Sequence, residues 1–248
     1  MKSFRLMLGV MNFFFATMFF LSASNDEATA LLLDAAMNDN LESIKVAITC
    51  GADVNVTVTR DGRWNSFSVL HLAVIGNCAP IVGELLQNKD IKVNNYIEAH
   101  GEVKGFTPLH LAAFNDCENA AEELCKHPDI QVNATVQSCG KYKGYTAFQL
   151  AAIRGYAAVI KALLEHKDID INGSVKTDGK YKGFMPLHLA IFKGYRFAVI
   201  ELLQYKDINV NAKIQNDSEY DGFTPLKLAV SSGYLKIAEE LLKHKGIL

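Results

Sequence analysis

Ser68–Ile75 reads SVLHLAVI, Thr107–Phe114 reads TPLHLAAF and Thr146–Ile153 reads TAFQLAAI; Met185–Phe192 then reads MPLHLAIF and Thr224–Ser231 reads TPLKLAVS. Successive copies begin 39 residues apart. A helical phrase that returns at one long period describes a single supersecondary unit stacked on copies of itself, because one unit cannot bury its apolar face alone. Stacks of this kind build extended binding surfaces more readily than catalytic clefts.

Each position of the phrase has a physical task. Thr107 and its equivalents are set to cap the first helix, and Pro108 occupies the first helical position, where its missing N–H costs nothing. Leu109, Leu111 and Ala112 form the inward face, and the small column Ala35, Ala73, Ala112, Ala151, Ala190 and Ala229 lets neighbouring helices approach. Between the two helices of successive units stand Asp39, Asn77, Asp116, Gly155, Gly194 and Gly233, the residue types that tolerate a left-handed backbone. The second helix places Val159, Ile160, Leu163 and Leu164 on its buried face.

The phrase TPLHLAAF, the second helix and a D-I-x-V-N tail together resemble the ankyrin repeat, and Gly51-Ala52-Asp53-Val54-Asn55 has the form of that repeat's close. The resemblance covers about residues 26–248 in six units, at roughly 24–62, 63–101, 102–140, 141–179, 180–218 and 219–248. It implies a mostly α fold: a single ankyrin-repeat domain over 24–248, a solenoid of helix-turn-helix units joined by β-hairpin fingers. The 39-residue period exceeds the usual length of about 33, and the extra residues lie between the V-N tail and the next G-F-T. The fingers are therefore expected to be long and partly stacked on one another. Two columns in them are apolar throughout: Val58, Ile97, Val136, Val175 and Ile214, then Trp64, Val103, Tyr142, Tyr181 and Tyr220. A three-residue loop ending at a left-handed glycine would pair Ile97 with Val103 and Val136 with Tyr142 on one face.

The first residues are of a different kind. Lys2 and Arg5 precede an apolar run from Leu6 to Leu21, followed by Ser22, Ala23 and Ser24. This is the layout of a secretory signal over residues 1–23, with cleavage after Ala23 or Ser24. The run falls short of the roughly 20 residues of a spanning helix, and retention of the segment as a membrane anchor is the alternative. The five cysteines (Cys50, Cys78, Cys117, Cys125 and Cys139) show no disulfide framework and read as free thiols.

A net charge of −2 gives no electrostatic case for nucleic acid. His71, His110 and His188 recur one repeat apart, too far for neighbours on stacked helices to share a metal ion. In the resemblance this histidine is structural, bonding the backbone of the T-P-L-H turn. The sequons at Asn55, Asn133 and Asn172 repeat the V-N or I-N tail and are structural first. No phosphate-binding glycine loop, paired-cysteine motif or Ser-His-Asp pattern stands out, so no enzyme activity, metal or cofactor is expected.

Two groups remain for function. In ankyrin repeats the two positions after the Ala pair meet partners, and here they include Met37, Ile75, Phe114 with Asn115, Ile153 with Arg154, and Phe192 with Lys193. This apolar ladder is either an exposed groove or a further core layer covered by the fingers. The second group is the basic, aromatic tips Lys141-Tyr142-Lys143 and Lys180-Tyr181-Lys182, suited to an acidic partner surface. The expected function is that of an exported, monomeric protein binding a protein partner through its concave face, by inhibition, tethering or scaffolding. The setting is either an effector of a bacterium or parasite acting on host proteins, or a periplasmic or membrane-anchored scaffold.

Overall fold

The computed structural model describes residues 25–247 apart from 60, 61, 63, 100, 139 and 217. The expected signal at residues 1–23, and Cys139, lie outside the described residues. The described chain forms two compact units, one ending at Lys92 and one running from Val93.

The first unit holds α1 (Asn25–Met37), α2 (Leu41–Thr49), α3 (Val69–Ile75) and α4 (Ala79–Leu86). Here α1 packs on α2 and α3, and α2 packs on α4. The second unit holds α5 (Pro108–Phe114), α6 (Glu118–Cys125), α7 (Ala147–Arg154), α8 (Ala157–Leu164), α9 (Pro186–Phe192), α10 (Arg196–Leu203), α11 (Pro225–Ser231) and α12 (Leu235–Lys243). Its first helices α5, α7, α9 and α11 stand in one row, and its second helices α6, α8, α10 and α12 stand in another. Ala112, Ala151, Ala190 and Ala229 are fully buried between the helices of the first row, as are Val159, Ile160 and Leu163 on α8. Among the described residues no helix is long and apolar enough to cross a membrane.

The helices are short because both ends are specified. At the start, the hydroxyls of Ser68, Thr107, Thr146 and Thr224 accept from the backbone three residues on. In return, Nδ1 of His71 and of His110 accepts from the Ser68 and Thr107 N–H groups, closing a reciprocal cap. Met185 has no such hydroxyl, yet its N–H still reaches His188 Nδ1. At the far end the chain reverses through a left-handed residue at each expected position, Asp39, Asn77, Asp116, Gly155, Gly194 and Gly233, with φ between 50° and 81°.

The asparagines of the tails clamp neighbouring repeats. In the second unit the Asn133 side chain donates to the Asp168 carbonyl at 2.6 Å and accepts from the Asp170 N–H at 2.9 Å. Asn94 does the same at Asp129 and Gln131, Asn172 at Asp207 and Asn209, and in the first unit Asn55 at Asp90 and Lys92. The recurring sequon asparagines thus serve the stack.

The fingers depart from the expected register. Ile97 pairs with Gly105 and Phe106, and Val136 with Gly144 and Tyr145, two and three residues beyond the expected partners Val103 and Tyr142. Isolated bridges at Thr57–Ser68 and Thr135–Thr146 are the only strand pairing among the described residues. The reason is local. Ser66, Gly105, Gly144, Gly183 and Gly222 take positive φ just before the next helix opens, and overlapping turns such as Lys143 N–H to Gly140 O and Tyr145 N–H to Tyr142 O coil the tip. An extended hairpin is replaced by a coiled tip that lays its aromatic side chain down on the helices. Successive fingers do touch: Thr177 donates to the Lys143 carbonyl and Asn216 to the Lys182 carbonyl.

Candidate partner-binding site

The ladder and the basic tips meet in the second unit. Phe114, at the end of α5, is buried, with Phe106 and Tyr142 edge-on at 5.3 Å and the Arg154 guanidinium 3.5 Å from its centroid. Phe192, at the end of α9, is half-buried and touches Tyr181, Phe184 and Tyr220 at 5.6, 5.7 and 5.4 Å. The coiled finger tips bring Tyr142 and Tyr220 over these rings. For Phe114 the second of the two alternatives holds: the finger covers it and its ring belongs to the core, so it does not lie on the surface as a contact residue would.

Ile153 occupies the same register at the end of α7, and it supplies no ring. There the structure has a cleft of about 230 Å³, lined by Lys141, Tyr142, Tyr145, Ile153, Arg154, Tyr181, Lys193 and Tyr195. Six of these eight are residues the sequence singled out. The cleft carries three cations and no carboxylate. Lys141 lies 5.0 Å from the Tyr142 ring and Lys193 lies 5.7 Å from Tyr181. Neither they nor Arg154 forms an ion pair with a described carboxylate. Each cation thus lies near an aromatic ring and forms no ion pair among the described residues. Lys180 does not line the cleft: its ammonium lies 5.8 Å from the Tyr181 centroid and 4.9 Å from that of Phe192.

Tyr145 and Tyr195 are the lining residues that sequence reasoning missed. Both had a signal. Tyr145 belongs to a column (Phe67, Phe106, Tyr145, Phe184 and Phe223) that is aromatic in every full repeat, and Tyr195 to one that runs Tyr156, Tyr195 and Tyr234. Burial, then the nearby Tyr181 and Tyr142, raise the Tyr145 phenol above its ordinary range, so it stays neutral. The Tyr195 ring packs against Gly155, whose positive φ and missing side chain are both required there.

The other candidates lie elsewhere. Lys143 is exposed off the cleft, its carbonyl tied to Thr177. Lys182 is paired with Asp178 at 2.8 Å and lines a separate depression with Lys176 and Lys213. Asn115 is exposed and turns its amide back to the Leu111 carbonyl. Met37 is exposed and Ile75 half-buried, both in the first unit.

The groups that could have suggested chemistry are occupied with structure. His110 Nδ1 accepts from Thr107, so its proton sits on Nε2, which donates to the Tyr145 carbonyl at 3.2 Å. His188 does the same between Met185 and the Ala212 carbonyl. Burial lowers both imidazoles to about 4, so they are neutral at physiological pH. Burial, with Asp116 second, pushes the Cys117 thiol up to about 11; burial, with Glu165 second, pushes Cys125 up to about 12. Neither is a nucleophile at neutral pH.

This architecture is recognised independently of the site. Profiles described as "Ankyrin repeats (3 copies)" match residues 32–136 and 132–214, and one described as "Ankyrin repeat" matches residues 221–247. The chain belongs to the ankyrin repeat family, whose units are scaffolds for protein–protein interaction and are generally not enzymes. Among solved structures it is similar to the ankyrin repeat domain of human ASB11, at 22% identity over 88% of this chain and 84% of that one, with a TM-score of 0.61. It is also similar to the ankyrin repeat protein EF0377 (21% identity, 88% and 98% covered, TM-score 0.67). The ankyrin repeat domain of Bcl-3, a member of the IkappaB protein family, gives 22% identity, 88% and 86% covered, and a TM-score of 0.63. At these identities the likeness establishes the fold alone. No curated protein matches the chain.

Proposed function

We propose that this protein binds a protein partner through the face of its second unit that carries the Ile153 cleft, and that it does so as an exported protein. The carrying observation is that Lys141, Arg154 and Lys193 converge on one aromatic-lined cleft without a carboxylate partner among the described residues. The complement of such a face is an acidic surface with apolar anchors. Binding would act by occupying the partner's surface, as inhibition or tethering. Export rests on the charged, apolar and small-residue order of residues 1–23. It would place the partner outside the producing cytoplasm, whether the chain acts there as an effector or as a local scaffold. Retention of the segment would make the protein a membrane-anchored scaffold instead.

One paired experiment tests both halves. The full chain and a Lys141→Glu, Arg154→Glu, Lys193→Glu variant are expressed from the natural start, and the proteins each retains are compared at equal folded concentration. Partners held by the first and lost from the second support the site; an identical set from both overturns it. Sequencing the N-terminus of the same preparation checks export, where a product starting near Ser24 is expected and an intact Met1 refutes cleavage.

A further inference from the structure

Three equivalent positions end the first helices of the second unit: Phe114, Ile153 and Phe192. Around Phe192 four rings form a closed cluster in which Phe192 touches each of the other three, Tyr181, Phe184 and Tyr220. Around Phe114 the cluster is likewise closed, by Phe106 and Tyr142. One repeat position between them, Tyr142, Tyr145 and Tyr181 stand in the same places as Tyr181, Phe184 and Tyr220, but the central ring is replaced by an aliphatic side chain. The cleft of about 230 Å³ opens there. Its size decides what it can hold. Sites for drug-sized ligands and cofactors run from about 300 to 1,000 Å³, whereas a cavity of about 150 Å³ takes a benzene ring. The volume therefore suits one side chain rather than a free cofactor.

The rim decides the chemistry around that ring. Lys141, Arg154 and Lys193 line the cleft, and no acidic side chain lines it. Resting on the proposal that this face binds protein, we infer that the Ile153 cleft receives an aromatic side chain from an acidic segment of the partner, its ring taking the place that Phe114 and Phe192 fill in the adjacent repeats. The partner's ring packs edge-on among Tyr142, Tyr145 and Tyr181, and flanking carboxylates meet the rim cations. The chain thus leaves one socket of its own aromatic ladder open and lets the partner complete it.

The test uses the full chain, the Ile153→Phe variant and three short synthetic peptides: phenylalanine between glutamates, alanine between glutamates, and phenylalanine between lysines. Binding is read by amide chemical-shift titration, with Gly155 as reporter. The glutamate–phenylalanine peptide is expected to bind best, with about tenfold loss on replacing its ring and about tenfold loss on reversing its charges. Ile153→Phe fills the socket from within and is expected to weaken that peptide about tenfold while unfolding at no lower denaturant concentration. Equal binding of the phenylalanine and alanine peptides to the unaltered chain overturns the inference without depending on any variant folding. So does undiminished binding by a folded Ile153→Phe chain. If the charge-reversed triple variant loses natural partners while Ile153→Phe keeps them, the binding face stands and the ring socket falls.

Discussion

The repeat that contains α7 and the repeats on either side of it share one frame and differ at two decisive points. Where its neighbours carry His110 and His188 at the reciprocal cap, it carries Gln149; where they end the first helix in Phe114 and Phe192, it ends in Ile153. Gln149 makes the same pair of bonds as the histidines. Its Oε1 accepts from the Thr146 N–H at 3.1 Å and its Nε2 donates to the Gly173 carbonyl at 2.8 Å. The first difference therefore changes no geometry and removes a titratable group. The second keeps the backbone and removes a ring. Equal folds thus conceal unequal chemistry, and the unequal positions can be tested separately.

The largest expected effect follows from the caps. Above pH 6.5 the imidazoles of His110 and His188 are neutral in both folded and unfolded chains and contribute no pH dependence. Below 6.5 the unfolded chain takes up protons that the folded rings refuse until about pH 4. Stability is therefore lost as pH falls through that window, by roughly 3 kcal/mol per ring. The double variant His110→Gln, His188→Gln, copying Gln149, should unfold in urea close to the parent at pH 7.5 and flatten the loss between pH 6.5 and 4. An unchanged acid dependence would show that these caps open in the folded state.

The rings give the next effect. Phe114→Ala removes a buried side chain from between Phe106, Tyr142 and Arg154 and should cost about 3 kcal/mol. Ile153→Ala, at a half-buried position facing the cleft, should cost about 1 kcal/mol. Denaturant midpoints with matched slopes distinguish them. Similar losses at the two sites would mean that the cleft is closed in solution, and would abolish the distinction between filled and open sockets.

Most of the frame was readable because each device is local. A hydroxyl before Pro, a small residue in the first helix and Asp, Asn or Gly at the reversal announce themselves within a few positions, and all six reversals adopt the expected left-handed backbone. The finger register was not readable in that way. Glycines such as Gly101 and Gly105 each suit a turn, and the choice between an extended hairpin and a coiled tip depends on Tyr142 finding Phe114 in the preceding repeat. The same dependence hid the fate of the ladder. Phe114 is buried while Ile153 and Phe192 are half-buried, and the difference follows from which rings and cations arrive from neighbouring repeats. The cleft itself was legible only in halves, Ile153, Arg154 and Lys193 in the ladder and Lys141, Tyr142 and Tyr181 in the finger tips.

The smallest effect probes how the rim is held. Arg154 and Lys193 are equivalent in register, yet the guanidinium lies 3.5 Å from the Phe114 centroid while the Lys193 ammonium stands 5.7 Å from that of Tyr181. A planar cation stacked on a ring is preorganised; a lysine at that distance remains free to follow a partner. Arg154→Ala should cost about 0.5–1 kcal/mol of stability and Lys193→Ala less than about 0.5 kcal/mol. A double-mutant cycle of Arg154→Ala with Phe114→Leu isolates the stacking from general loss of charge. Coupling should be measurable for that pair and negligible for Lys193→Ala with Tyr181→Leu. Equal coupling in the two cycles would place both cations in one class. The rim would then offer two mobile charges in place of one fixed and one adaptable contact.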